Sequence, residues 1–197
     1  MSTVFPIIQG MLSALLVSII SLILCIVPGT LLCIGRLSKI SIIKIICTII
    51  LEFFDGVPVL VQLLFVYYGL PLIFPDLATI SSFVIGIIVL SINGATNVYT
   101  YYLVYKNNDV KDRTIDSLKT LSITLIRVFA EIIKNTSLLS IIGFTEILRK
   151  SNMLMMAQNK ASYLVVGIIV FLTLNIICKS LIHLLKYLYK NKGNGFI

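Results

Sequence analysis

The first 35 residues contain no Asp, Glu, Lys or Arg. A segment that long and that free of charge cannot form a water-facing surface, and a membrane-spanning helix needs only roughly 20 predominantly apolar residues. Further uncharged stretches follow at residues 57–75, 77–105 and 161–178. Charged residues make up only 12% of the 197, and apolar ones 58%, whereas an ordinary soluble domain is about a quarter charged. Lipid is therefore the solvent for much of this chain. A cleaved signal peptide explains the first run poorly, because Arg36 and Lys39 follow the apolar stretch instead of preceding it.

The net charge of +8 does not point to nucleic acid, since the basic residues are scattered over short loops and a tail without interleaved aromatics. The preference for Lys and Arg on the cytoplasmic side explains them better. Cys25, Cys33, Cys47 and Cys178 lie within or beside apolar segments with no metal-ligand spacing, and His183 stands alone. They are expected to be small core residues, and neither metal nor cofactor is expected. No phosphate-binding loop and no nucleophile–base spacing is present, so the chain is not expected to be an enzyme. Any coupling to an energy source must come from another subunit.

The pattern predicts an all-α integral membrane protein, a single domain over residues 1–197 with about five transmembrane helices. The spans are expected at about 7–33, 50–73, 79–104, 121–144 and 162–184. Residues 36–50, with three basic residues among seven isoleucines, read as a short interfacial helix. Residues 105–120 form the most hydrophilic loop. With the N-terminus outside, the cytoplasmic loops hold Arg36, Lys39, Lys44, Lys106, Lys111, Arg113, Lys119, Lys186, Lys190 and Lys192, and the outer side holds only Arg149, Lys150 and Lys160. That asymmetry predicts a cytoplasmic C-terminus in the cell membrane.

Two spans carry polar stripes. Asn93, Thr96, Asn97 and Thr100 share one helical face at i, i+3, i+4 and i+7. Arg127, Glu131 and Lys134 share another at i, i+4 and i+7. Ionisable groups at membrane depth normally face a bundle interior or an aqueous cavity. The plainer alternative is an internally neutralised ladder, with Arg127 reaching the interface and the amides and hydroxyls joining helices.

Two motifs carry a resemblance. Phe53-Phe54-Asp55-Gly56-Val57-Pro58-Val59-Leu60-Val61-Gln62-Leu63, followed by Tyr67-Tyr68-Gly69-Leu70-Pro71, resembles the second-helix signature of polar amino acid ABC importer permeases. Lys134-Asn135-Thr136-Ser137-Leu138-Leu139-Ser140-Ile141-Ile142-Gly143, then Glu146-Ile147-Leu148, resembles the fourth-helix signature of the same histidine, glutamine and arginine permease group. Arg36-Leu37-Ser38 after the first span also fits. The resemblance implies a type I ABC importer permease-like fold that pairs with a second permease subunit, like or related. It further implies cytoplasmic ATPase subunits, an extracellular amino acid-binding protein, and transport by alternating access. The pathway is expected to involve Phe53, Val57, Gln62, Asn97, Glu131, Lys134 and Thr136, and the ATPase-coupling element Lys111, Arg113, Asp116, Ser117, Leu118 and Ser122.

Departures from the family pattern cluster on charge and on the coupling loop. Asp55 stands where the family usually has Arg, Tyr99 where it has Glu, Asn135 where it has Asp, and Glu131 where it has Ser. Asp116-Ser117-Leu118-Lys119-Thr120-Leu121-Ser122 replaces a Glu-Ala-Ala loop with a following Gly, and a later Leu-Pro segment is missing. Two other readings stay open from these residues: a degenerate permease paralogue with impaired ATPase coupling, and a channel-like or structural membrane protein.

Overall fold

The computed structural model describes residues 5–107 and 115–193, with side chains at 5–99 and 121–189. Seven helices account for most of them: α1 (Phe5–Arg36), α2 (Ser41–Gly56), α3 (Val59–Ile73), α4 (Ser82–Asn107), α5 (Ile115–Asn135), α6 (Ile147–Gln158) and α7 (Ser162–Gly193). No strand occurs among the described residues. Three helices, α1, α4 and α7, are long and apolar enough to cross a bilayer, and α2 with α3 forms a fourth crossing if the bent pair is one span.

The core is the contact of α1 with α4. Ser21 Oγ donates to Ile87 O at 3.5 Å, Cys25 packs on Gly94, and Gly29 lies against Ala95 and Val98. Both residue series ascend together, so α1 and α4 run parallel. Parallel neighbours need the chain to return between them, and α2–α3 is the segment that joins the two. A Cβ on Gly29 would sit 3.0 Å from Val98 Cβ. Such close approach matters in lipid, where tails solvate Leu as well as a neighbouring helix does, so packing fit holds helices together. The outward faces of α1 and α7 are rows of exposed Ile, Leu and Val, as a lipid-facing surface requires.

Two boundaries differ from those the sequence predicts. The span expected at 50–73 is two helices whose axes diverge by 100°. Pro58 lacks an N–H and drives the preceding Val57 to an extended conformation (φ −97, ψ 123), so α2 ends there and α3 starts at Val59. The short helix expected within 36–50 begins at Ser41 as α2, which runs on to Gly56 with Leu51 as its one buried residue.

The span expected at 121–144 is α5 over Ile115–Asn135, followed by a tighter 3-10 turn over Thr136–Ser140. Three hydroxyls bond back onto the backbone of this turn. Thr136 Oγ1 donates to Ile133 O at 2.7 Å, Ser137 Oγ to Lys134 O at 2.8 Å, and Ser140 Oγ to Ser137 O at 2.8 Å. Each takes a carbonyl that a continuing helix would use. Gly143, at φ +87, then turns the chain toward α6.

Candidate functional site

Phe53, Val57 and Gln62 gather at the break between α2 and α3. Phe53 is 56% exposed, on the last turns of α2, and packs edge-on against Phe54 with ring centroids 5.2 Å apart. Val57 is the extended hinge residue. Gln62 is buried, and its Nε2 donates to Phe54 O at 2.9 Å and to Val57 O at 2.7 Å. Beyond it, Phe65–Gly69 winds as a π-helix containing Tyr67 and Tyr68. Local π segments recur at functional sites.

A second feature adjoins this break. A cavity of about 160 Å³ opens between the end of α1, α2 and α4, lined by Arg36, Thr48, Leu51, Glu52, Asp55, Thr96 and Tyr99. It presents one guanidinium and two carboxylates in a space a few water molecules wide. Asp55 and Tyr99, which depart from the family pattern far apart in sequence, are thus on the wall of one cavity. Asn135, another departure from the family pattern, is not among the lining residues. No single-helix spacing reveals such a grouping, although both positions stand out by their changed charge.

The polar stripe of α4 is partly internal. Thr96 is buried, with its hydroxyl donating to Asn93 O at 2.8 Å, while Asn93 and Asn97 are half-buried. On α5, Val128, Ile132 and Ile133 face the core, so Arg127 and Lys134 are on the exposed side and Glu131 is half-buried between them. Thr136 is fully buried and bonded into its own turn. The sites named from sequence therefore form two groups, one at the α2–α3 break and one at the end of α5. Of the coupling residues, Lys111 and Arg113 lie outside the described residues. Asp116, Ser117 and Leu118 open α5, where only the backbone is described, and Ser122 is half-buried one turn further on.

The fourth-helix signature ends on a residue whose role spacing does not show. Glu146 is fully buried and caps α6: Oε2 accepts from Leu148 N at 2.7 Å and Oε1 from Arg149 N at 2.9 Å. Burial pushes its carboxyl up to about 7, against the opposing pull of those two N–H groups and of the Arg149 guanidinium. Arg149 in turn donates from Nη1 to Ser140 O at 2.9 Å, closing the turn. A cavity of about 570 Å³ opens beside it, lined by residues that include Ser140, Arg149, Asn152, Met153 and Met156. The sequence signal available for this site is a lone Glu just ahead of a helix. Its burial depends on Gly10, more than a hundred residues earlier, where a Cβ would meet Glu146 O at 2.7 Å.

Among the described residues, no group of three or more His, Cys, Asp or Glu comes together as metal ligands.

No family model matches the chain. It is 30% identical over 134 residues, 68% of its length, to a protein of Bacillus subtilis named probable amino-acid permease protein YxeN. It is 39% identical over 61 residues to the glutamate transport system permease protein GluD of Corynebacterium glutamicum. A third match, 38% identical over 60 residues, is the probable amino-acid ABC transporter permease protein PatM of Vibrio harveyi. The matched segments span 59%, 22% and 27% of those relatives' own lengths. A solved structure described as an amino acid ABC transporter with histidines superimposes with a TM-score of 0.80 at 19% identity, over 91% of this chain and 92% of that one. By sequence and by fold, then, this all-α membrane protein is a relative of the amino-acid permease proteins of ABC transporters.

Proposed function

We propose that the chain is the permease subunit of an ATP-binding-cassette importer for polar amino acids. It pairs with a second permease subunit, and the pathway runs between the two by alternating access. Cytoplasmic ATPase subunits supply the energy, and an extracellular binding protein delivers the amino acid. The N-terminus lies outside and the C-terminus in the cytoplasm, the orientation that the distribution of Lys and Arg favours.

The observation that carries this reading is the 30% identity over 134 residues to the probable amino-acid permease protein YxeN, supported by the fold likeness over 91% of the chain and by both signature motifs standing at interruptions of helices. Interrupted helices expose backbone groups at membrane depth, which is tolerated only inside protein or beside a water-filled cavity. Phe53, Val57 and Gln62 at one interruption are suited to gating. At the other, Glu131 and Lys134 carry groups of both signs that suit a zwitterion, with Asn97 on α4 as a further polar contact and Thr136 shaping the turn from within. Lys134 would meet a carboxylate and Glu131 an amine. The segment holding Lys111, Arg113, Asp116, Ser117, Leu118 and Ser122 is the ATPase-facing element.

The test is assembly. The chain, solubilised with its own host's ATPase subunits, should co-purify with them in a stable complex. Recovery without any ATPase, under conditions that preserve permease–ATPase complexes, would overturn the coupling claim.

A further inference from the structure

The break between α2 and α3 poses a hydrogen-bond problem that the backbone cannot solve. In a continuous helix Phe54 O would accept from the N–H of residue 58, and Pro58 has none. Val57 O would accept from Val61 N, but that group donates to Pro58 O at 2.9 Å. The carbonyls of Phe54 and Val57 are thus left without the backbone donors a continuous helix would give them. Gln62 is eight residues beyond Phe54, on the other limb of the bend, and only 6% exposed. Its Nε2 donates to both, at 2.9 Å to Phe54 O and 2.7 Å to Val57 O. Both amide hydrogens are committed, while Oε1 is buried without a partner among the described residues. The side chain therefore serves the break through its donors alone.

We propose that Gln62 is a positioning residue that holds the 100° bend by supplying the N–H that Pro58 lacks. A side chain on α3 that bonds the last carbonyls of α2 ties the two limbs at a set angle. It also keeps Phe53 and Val57 on the same side of the hinge. A leucine or methionine of similar size would fill the space but leave both carbonyls bare. What the bend does rests on the transport reading above. That it is held by this amide does not, so the test measures a distance instead of uptake.

Spin labels go on the exposed Ile49 of α2 and Leu72 of α3, in full-length protein whose native cysteines are replaced, reconstituted in lipid nanodiscs. Gln62→Met should broaden the label-to-label distance and lengthen it, by up to about 10 Å if the limbs straighten fully. Pro58→Ala restores the missing N–H. In that background Gln62→Met should lower the thermal midpoint by less than half of what it costs in the parent. An unchanged distance distribution in Gln62→Met overturns the proposal, as does an equal loss of stability in both backgrounds. If Gln62→Met alone yields no folded protein, folding of the Pro58→Ala/Gln62→Met pair supports the proposal, and failure of both overturns it.

Discussion

Among the described residues, the break between α2 and α3 and the start of α6 leave backbone groups that side chains satisfy in opposite ways. At the α2–α3 break, carbonyls are orphaned, and the neutral amide of Gln62 supplies donors. At the start of α6, N–H groups are orphaned, and the carboxylate of Glu146 supplies acceptors. The neutral repair leaves one acceptor without a partner and does not titrate. The ionisable repair satisfies both of its oxygens but sits under a desolvation penalty that raises its pKa. The first site is sensitive to geometry, the second to pH.

The largest expected effect comes from the backbone against which Glu146 is pressed. Gly10→Val would drive side-chain carbons into Glu146 O and the Ile147 amide, which are 2.7 and 3.0 Å from the Cβ position. These are backbone atoms that cannot swing aside, so overpacking should cost about 3 kcal/mol or more. Thermal unfolding in detergent should show a fall in the midpoint of many degrees. A small shift would mean that α1 and α6 separate freely.

The next effect sharpens the contrast in pH response. A carboxyl raised from 4.5 to about 7 in the fold favours its protonated form there. Its contribution to stability is therefore full below pH 4.5 and is lost as pH climbs through about 7. Glu146→Gln keeps the shape and one acceptor, and should flatten that part of the stability profile while costing about 1 kcal/mol of capping. Gln62 variants should leave the slope intact. A pH profile unchanged by Glu146→Gln would remove the distinction between the two repairs.

The smallest effect on stability belongs to the exposed end of the α5 stripe. Lys134→Gln removes a charge from the surface of the isolated chain, so the unfolding midpoint should move by no more than about 0.5 kcal/mol equivalent. Amino acid uptake by the assembled complex should nonetheless fall. Stability and uptake falling together would make the stripe a structural ladder.

Much of this was legible in the residues. Uncharged runs marked α1, α4 and α7, whereas the second and fourth spans were expected to run unbroken through Pro58 and Gly143, where the chain turns. The polar faces of α4 and α5 followed from helical spacing. The 100° bend was not legible, because a proline marks a break without fixing its angle, and the angle depends on where the Gln62 amide lands. The burial of Glu146 was hidden for a similar reason. It arises from a glycine on a helix at the other end of the chain, and no local pattern encodes that contact. The cavity that joins Arg36, Glu52, Asp55 and Tyr99 is built by three helices, so each residue looked isolated in sequence.

The central claim is ATP-driven import, and uptake tests it most directly. The chain would be reconstituted in proteoliposomes with its partner permease and ATPase subunits and supplied with amino acid-loaded binding protein. Uptake of labelled amino acid should require ATP and vanish when the ATPase is omitted or its nucleotide site is disabled. Uptake that proceeds equally without ATP would contradict the account and make the chain a passive channel.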